Sequence, residues 1–511
     1  MKTKYPTPQP IRVQPAFIFT LFPTLRLRLL ILLTGLFLAT ACKEKSQEVT
    51  PSGAVTAKAG TDQTVQVGQM VMLDGSGSTD SESKPLTYQW AVLRKPAKST
   101  VTLSEAASFK PTFKPDEVGE YELELTVASP NGKATDKVLV TASVAEPLAI
   151  SANITVKTTL ADRIAHPDLP DYIVTKNIDV SHELTINPGV VIAFERDVRM
   201  NVNDNGGLLI ARGEAAKKIK FVGVQRTKGY WVGIAHYSGS NANILEHVEV
   251  SHAGSRPIFS TTKAALYFSG GSKAQMAIKN TAFTDNDGYG IYVYEGGILR
   301  EFTENGFRNN TEAGILLDAA NVEKLDYFST FNGNNGRDVV EVTPSNLKNG
   351  DEITWSGFAD KAPYRINGEL NINTGWKLKP GVTLEMNRDA VIRINTSGYL
   401  SAIGTTKDKV VFTSADGSAA YWRGIICYSA DPKTVLENAE VRNAGGNIIV
   451  SAKKANIAVW GTKATMNIKN TKISGSGGYG VMVGYGSSVN TDLTTANIFE
   501  SNTQGNVLIE K

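Results

Sequence analysis

The strongest constraint on this chain is that it writes much of itself twice. "YWVGIAHYS" begins at Tyr230 and "YWRGIICYS" at Tyr421. The match runs well beyond the tryptophans. "LTINPGVVIAF" pairs with "WKLKPGVTLEM", "GLLIARGEAAKKIKF" with "GYLSAIGTTKDKVVF", "ILEHVEVSHAG" with "VLENAEVRNAG", and "IKNTAFTDNDGYGIYV" with "IKNTKISGSGGYGVMV". The offset stays between 190 and 192 residues, so this is an internal duplication. Within each copy, short β-rich runs such as "ILEHVEV", "AALYFSG" and "AGILLDA" recur roughly every 20–25 residues between Asn/Gly turns. Strands this short and regular, with no helical period between them, predict a solenoid: a parallel β-helix whose inward Val, Ile, Leu and Phe stack into one core. Asn280, Asn286, Asn309 and Asn310 are expected at its corners, bonding the backbone of adjacent coils. A β-propeller is the alternative, but blade-type motifs are absent. The copies are assigned to residues 171–345 and 346–511, with 146–170 as a linker or N-terminal cap of the β-helix.

Residues 54–145 form a different unit. "YELELTV" alternates strictly, placing Tyr121, Leu123, Leu125 and Val127 on one face of a half-buried strand. "LTYQWAV" supplies another strand, with Trp90 as a core anchor. A length near 90 residues with several short strands suits an immunoglobulin-like sandwich. The expected fold class is therefore all-β: an Ig-like β-sandwich followed by a parallel β-helix with internal duplication. Through "AGTDQTVQVG", "VMLDGSGSTD", "LTYQW", "PTFKPDEVGEYELELTV" and "DKVLVTA" the first unit resembles the polycystic-kidney-disease (PKD) repeat over its full span. The resemblance implies a spacer or contact module without catalysis. Asp74 and Asp80 either help hold a cation or cap turns. Through "PGV", "W-x-G-I" and "V-x-x-A-G" the duplicated segment resembles right-handed parallel β-helices of the pectate-lyase-like fold.

The N-terminus carries Arg26 and Arg28, an apolar run from Leu29 to Leu38, then Ala39, Thr40, Ala41 and Cys42. The run is too short to span a membrane comfortably. It resembles a bacterial lipoprotein signal peptide over residues 1–41, with lipidation at Cys42 and a polar tether over 42–53. That resemblance implies a lipid-anchored protein of the bacterial cell envelope, at the outer membrane, touching the membrane only through its N-terminal lipid. Without the leader, 48 basic residues face 50 acidic ones, a net charge of −2. This argues against a nucleic-acid partner.

What the copies share reads as scaffold, because a fold element must be rebuilt in each copy while an active site is normally assembled once. Trp231/Trp422, Gly233/Gly424, Glu246/Glu437 and Asn280/Asn470 belong here; twin sugar-stacking platforms are the competing reading. Chemistry is then expected among unshared residues. His236 stands opposite Cys427, His247 opposite Asn438 and His252 opposite Asn443, while Asp285 and Asp287 have no acidic counterparts. His236, His252, Asp285 and Asp287 are the candidate ligand-binding residues, for a sugar or Ca²⁺ on the outer face. Loop residues drifting between duplicates would look the same. No other cofactor is indicated, and the catalytic residues are unknown. Glycosidase and pectin-esterase constellations are absent, and Arg337 and Asp338 lack partner carboxylates for lyase chemistry. The expected function is a non-catalytic envelope lipoprotein presenting a β-helix surface to a polysaccharide or a cell-surface protein. A polysaccharide lyase or glycoside hydrolase of the β-helix class is the alternative.

Overall fold

The computed structural model describes residues 54–348 and 350–510. The leader, Cys42 and the whole of the tether over 42–53 lie outside them. Among the described residues the regular structure is strand, apart from one 3₁₀ turn at Ala319–Lys324.

The first unit is built on a four-stranded sheet in the order Gln63–Gln66, Gly132–Ser143, Gly119–Ser129, Thr87–Arg94. The alternation read from the sequence is the burial pattern of Gly119–Ser129: Tyr121, Leu123, Leu125 and Val127 are fully buried, and Trp90 joins them. Two short antiparallel pairs, Val55–Thr56 with Thr79–Asp80 and Val71–Met72 with Thr112–Phe113, lie outside this sheet.

From Leu148 onward every strand pairing is parallel, and the chain winds as a β-helix with three faces. Tyr172–Val174 lies on face 1, Ile178–Val180 on face 2 and Glu183–Ile186 on face 3. The next coil repeats the order with Val191–Phe194, Arg199–Val202 and Leu208–Arg212, each in register with the strand before it. Leu148–Ile150 pairs with Tyr172–Val174, and Thr158–Leu160 with Glu183–Ile186, so the 146–170 segment is the first coil of the β-helix itself.

The duplication does not continue in phase. Arg337–Val342, the counterpart of face-1 strand Leu148–Ile150, pairs with face-2 strand Ala313–Leu317. From there one 13-stranded sheet joins the face-2 strands of copy 1 to the face-1 counterparts of copy 2. The seam explains the shift. The 3₁₀ turn Ala319–Lys324 takes a face-3 place, and Thr330 bridges Gly306 on face 1. Copy 2 then begins one strand position beyond a whole number of coils. Its start lies at Arg337–Val342, inside the 171–345 range, and its features are turned by one face about the axis.

The interior is a stack. Trp231 lies on Phe194 with centroids 4.1 Å apart and planes 11° from parallel, while Phe283, Phe307 and Phe331 continue at 5.4 and 5.1 Å. The four asparagines expected at corners divide into two roles. Asn286 and Asn310 are buried and form a ladder, the Nδ2 of each donating to the next Oδ1 (Asn310, then Asn335) at 2.9 Å. Asn280 and Asn309 sit at φ 50° and 54°, the left-handed conformation that asparagine tolerates better than most residues. His247 and His252, at φ 48° and 66°, occupy the same corner conformation as their counterparts Asn438 and Asn443, at 47° and 68°.

Candidate functional site

Trp231 and Trp422 are both fully buried, and their Nε1 atoms donate to the carbonyls of Ser251 at 2.8 Å and Arg442 at 2.9 Å. Equivalent bonds at equivalent depth make them interior anchors. Neither presents a ring to a ligand.

The four first-copy candidates do not form one outer site. His236 is the clear correction: its strand, Gly233–His236, points the imidazole into the core, where it packs edge-on against Phe268. Burial lowers its pKa to about 4, and Nε2 meets only the Gln275 carbonyl at 3.0 Å. Cys427 fills the same interior position in copy 2, with its thiol raised to about 11 by burial. The outer-face expectation fails here because an unprotonated imidazole is apolar enough to stack.

His252 and Asp285 do come together. Ser251 registers with Thr284, which sets the two following residues beside each other at one corner. Burial lowers the His252 pKa, Arg226 adds to this, and Asp285 opposes it; Nδ1 is buried without a partner. Asp285 accepts from Asn309 Nδ2. Asp287 turns to another partner, Lys263, at 2.7 Å. Among the described residues no three His, Cys, Asp or Glu side chains are arranged to hold a metal ion. Arg337 is engaged by Glu341, Glu312 and the Tyr289 hydroxyl, and Asp338 accepts the N–H groups of Gly333 and Asn335. In the first unit, Asp80 accepts from the Glu82 and Lys84 N–H groups, Ser129 and Asn131, and Asp74 accepts from Ser76; both are turn caps.

The long sheet carries a feature that the histidine argument overlooked. One outward column runs Asp179, Asn201, Ala235, Tyr267, Tyr292, Leu316, Glu341, Arg365, Glu385. At about 4.8 Å per strand this stretch covers roughly 40 Å. Its middle is aromatic. The loop after His252 folds back so that Phe259 stacks on Tyr267, centroids 4.9 Å apart and planes 10° from parallel. Tyr237, Tyr292 and Tyr294 surround this pair. Tyr267 is buried, which pushes its hydroxyl up to about 12, while Phe259 and Tyr294 remain 37% and 40% exposed. Beyond Leu316 the column turns ionic: the Tyr289 hydroxyl donates to Glu341 at 2.8 Å, and Arg365 pairs with Glu385. The signal was in the sequence. "ALYFSG" and "YGIYVYEG" place tyrosine at outward positions where copy 2 has Ala458, Met482 and Gly484.

Residues 59–142 match a family model described as a PKD domain. That is the stretch folded as the first unit, and it is well under half of the chain. No curated protein matches. Among solved structures, a "nucleoside hydrolase-related hypothetical protein from Saccharophagus degradans that is associated with carbohydrate metabolism" is similar at 23% identity and TM-score 0.16, over 18% of this chain and 25% of that one. The PKD domain from KIAA 1837 protein is similar at 28% identity and TM-score 0.15, and that from human KIAA0319 at 20% and 0.16; each match covers 19% of this chain and 91% of the other. The chain thus spans a quarter of the first of these structures and most of each isolated PKD domain. What these comparisons identify is a PKD domain at residues 59–142; the β-helix that follows rests on the strand pairing described above.

Proposed function

We propose that this chain is a non-catalytic lipoprotein of the bacterial cell envelope, held at the outer membrane through Cys42, whose β-helix offers the aromatic middle of its long sheet to neutral carbohydrate. The observation that carries the reading is the half-exposed rim of Phe259, stacked on Tyr267, and Tyr294, set edge-on to Tyr292. Aromatic faces of this kind suit the apolar faces of sugar rings, and hydroxyls at their edges can bond sugar oxygens. The PKD domain serves as a spacer between lipid and β-helix. No helix among the described residues is long and apolar enough to cross a membrane.

Two experiments test the parts separately. Cys42→Ala is expected to move the protein from the membrane fraction to the soluble fraction; a mutant that still pellets and resists salt contradicts the lipid anchor. A glycan array on the full chain is expected to show neutral oligosaccharides that Phe259→Ala no longer binds. An array without hits, or hits that Phe259→Ala leaves intact, contradicts the aromatic face. The second reading, a lyase or hydrolase, draws on the one adjacency of His252 and Asp285. It requires polysaccharide cleavage that Asp285→Asn abolishes.

A further inference from the structure

Unshared chemistry also lies in copy 2, at the corner where the chain leaves its third face. Successive coils bring together the loop 356–363, the turn at Lys379, Pro380 and Gly381, and the turn at Lys407, Asp408 and Lys409. With Tyr327 from the seam, they line a cavity of about 810 Å³. That volume falls within the usual span of small-ligand sites. Lys361, Lys379 and Lys407 are exposed there and form no ion pair with a described residue. Lys409 is paired with Glu440 at 3.1 Å, and Asp408 is the remaining acid in the lining. Four lysines against two acids leave the cleft at +2.

Copy 1 shows that this charge is not demanded by the fold. The counterparts of Lys361, Lys379 and Lys407 are Leu169, Asn187 and Ala216. Copy 1 places other cations at this corner, and two of them are neutralised on the spot: Lys217 lies 3.7 Å from Asp162 and Lys220 2.6 Å from Asp168. In copy 2 the place of Asp162, two residues past the strand, is taken by Gly357. The counterpart of Asp168 is Asp360, whose carboxylate is taken by the N–H groups of Phe331, Asn332 and Ala362. Copy 2 thus adds three lysines that no described acid pairs, although Asp408 stands where copy 1 has Lys217. Like charges gathered in a cleft raise the local concentration of an opposite charge.

The residue types narrow the ligand. No arginine is among the residues lining the cleft. The two-pronged guanidinium matches carboxylate and phosphate oxygens alike. A lysine ammonium is a compact point charge with rotatable donors, which suits the oxygens of a tetrahedral anion. Tyr327 is 56% exposed at the cleft, steadied by Phe328 set edge-on at 5.2 Å, and presents a ring face. We propose that this cleft binds a saccharide carrying tetrahedral oxyanions, a sulfate or phosphate ester, with the sugar over Tyr327 and the ester oxygens among Lys361, Lys379 and Lys407. The site is separate from the aromatic face of copy 1 and stands or falls without it.

Calorimetry on the full chain tests this with sulfated, phosphorylated and unmodified maltotetraose, tetragalacturonate and inorganic sulfate. The sulfated or the phosphorylated sugar is expected to bind, and the tighter of the two names the source. Lys379→Ala/Lys407→Ala should weaken that binding by roughly tenfold or more, since two charge-assisted hydrogen bonds are lost. Lys379→Arg/Lys407→Arg should retain most of it. Tyr327→Ala should weaken the ester sugar but not inorganic sulfate. Wild-type isotherms from the double alanine variant overturn the site, provided its thermal melt matches wild type. Tetragalacturonate binding equally well overturns the tetrahedral preference, and inorganic sulfate matching the ester sugar overturns the saccharide. Loss of neutral-glycan binding in Phe259→Ala, with ester binding intact, would bear on the copy 1 face alone.

Discussion

The two copies of the β-helix agree inside and disagree outside. Trp231 and Trp422 sit at the same depth with the same hydrogen bond, and His247 and His252 share their corner conformation with Asn438 and Asn443. Outside, tyrosines at 267 and 292 are replaced by Ala458 and Met482, while lysines at 361, 379 and 407 replace Leu169, Asn187 and Ala216. The seam then turns copy 2 by one face, so even shared outer features point in different directions. A solenoid constrains its interior coil by coil, because each inward side chain is both roof and floor for its neighbours. It leaves outward positions free. Duplicated sequence here therefore reports scaffold, and divergence is where binding is to be sought.

If the interior is truly equivalent, Trp231→Ala and Trp422→Ala should each cost about 3–5 kcal/mol in chemical denaturation, as removal of a buried large aromatic does. A large cost in one copy and a negligible one in the other would break the equivalence.

His236 and Cys427 sharpen it. The folded pKa of His236, about 4, lies below the ordinary value of 6.5. The unfolded chain therefore binds the extra proton first. The stability associated with neutral His236 is complete above pH 6.5 and is lost as pH falls toward 4. The loss approaches about 3 kcal/mol. His236→Cys, which installs the residue of copy 2, should flatten denaturation midpoints between pH 4 and 6.5. An unchanged pH slope would place the acid sensitivity elsewhere.

The asparagine ladder gives a smaller effect. Asn286→Ala removes a buried amide that donates to Asn310 Oδ1 and the Val250 carbonyl and accepts from the Ala253 N–H, and should cost about 1–3 kcal/mol. Ser476→Ala at the copy 2 position, which holds the Gly478 N–H at 3.1 Å, should cost less. Equal costs would mean that the ladder adds nothing beyond a local bond. Smallest of all, His252→Asn should raise stability by a few tenths of a kcal/mol, because asparagine accepts the left-handed corner more readily. A destabilised variant would show that the imidazole contributes packing.

The fold was legible because it is written in periodicity. Alternation in "YELELTV" and the recurring short runs fix strands without reference to distant contacts. The phase of the two copies was not legible. It depends on Ala319–Lys324 and Thr330 occupying strand places without a strand pattern. The site was half legible. Confinement of histidine to copy 1 pointed to His252 beside Asp285, which the register brings together, but it also enrolled His236. Nothing in "VGIAHYS" distinguishes an inward imidazole from an outward one when Ile234 and Ala235 are both apolar. The aromatic face was readable from tyrosines at alternate positions. The lysine cleft was not, since it needs three turns far apart in sequence to meet at one corner.

The most direct test of scaffold shared and binding divergent is paired calorimetry with a neutral oligosaccharide identified on the array. Phe259→Ala/Tyr294→Ala removes the half-exposed rim of the copy 1 face, and Trp460→Ala/Tyr485→Ala removes the aromatics that follow the matching copy 2 strands Ala455–Val459 and Tyr479–Val483. The expected result is a loss of roughly tenfold or more in affinity for the first pair, about what the loss of two ring contacts implies, and wild-type affinity for the second. Equal losses in both pairs would mean that the duplication carries a duplicated site, and would contradict the division between interior and exterior drawn here.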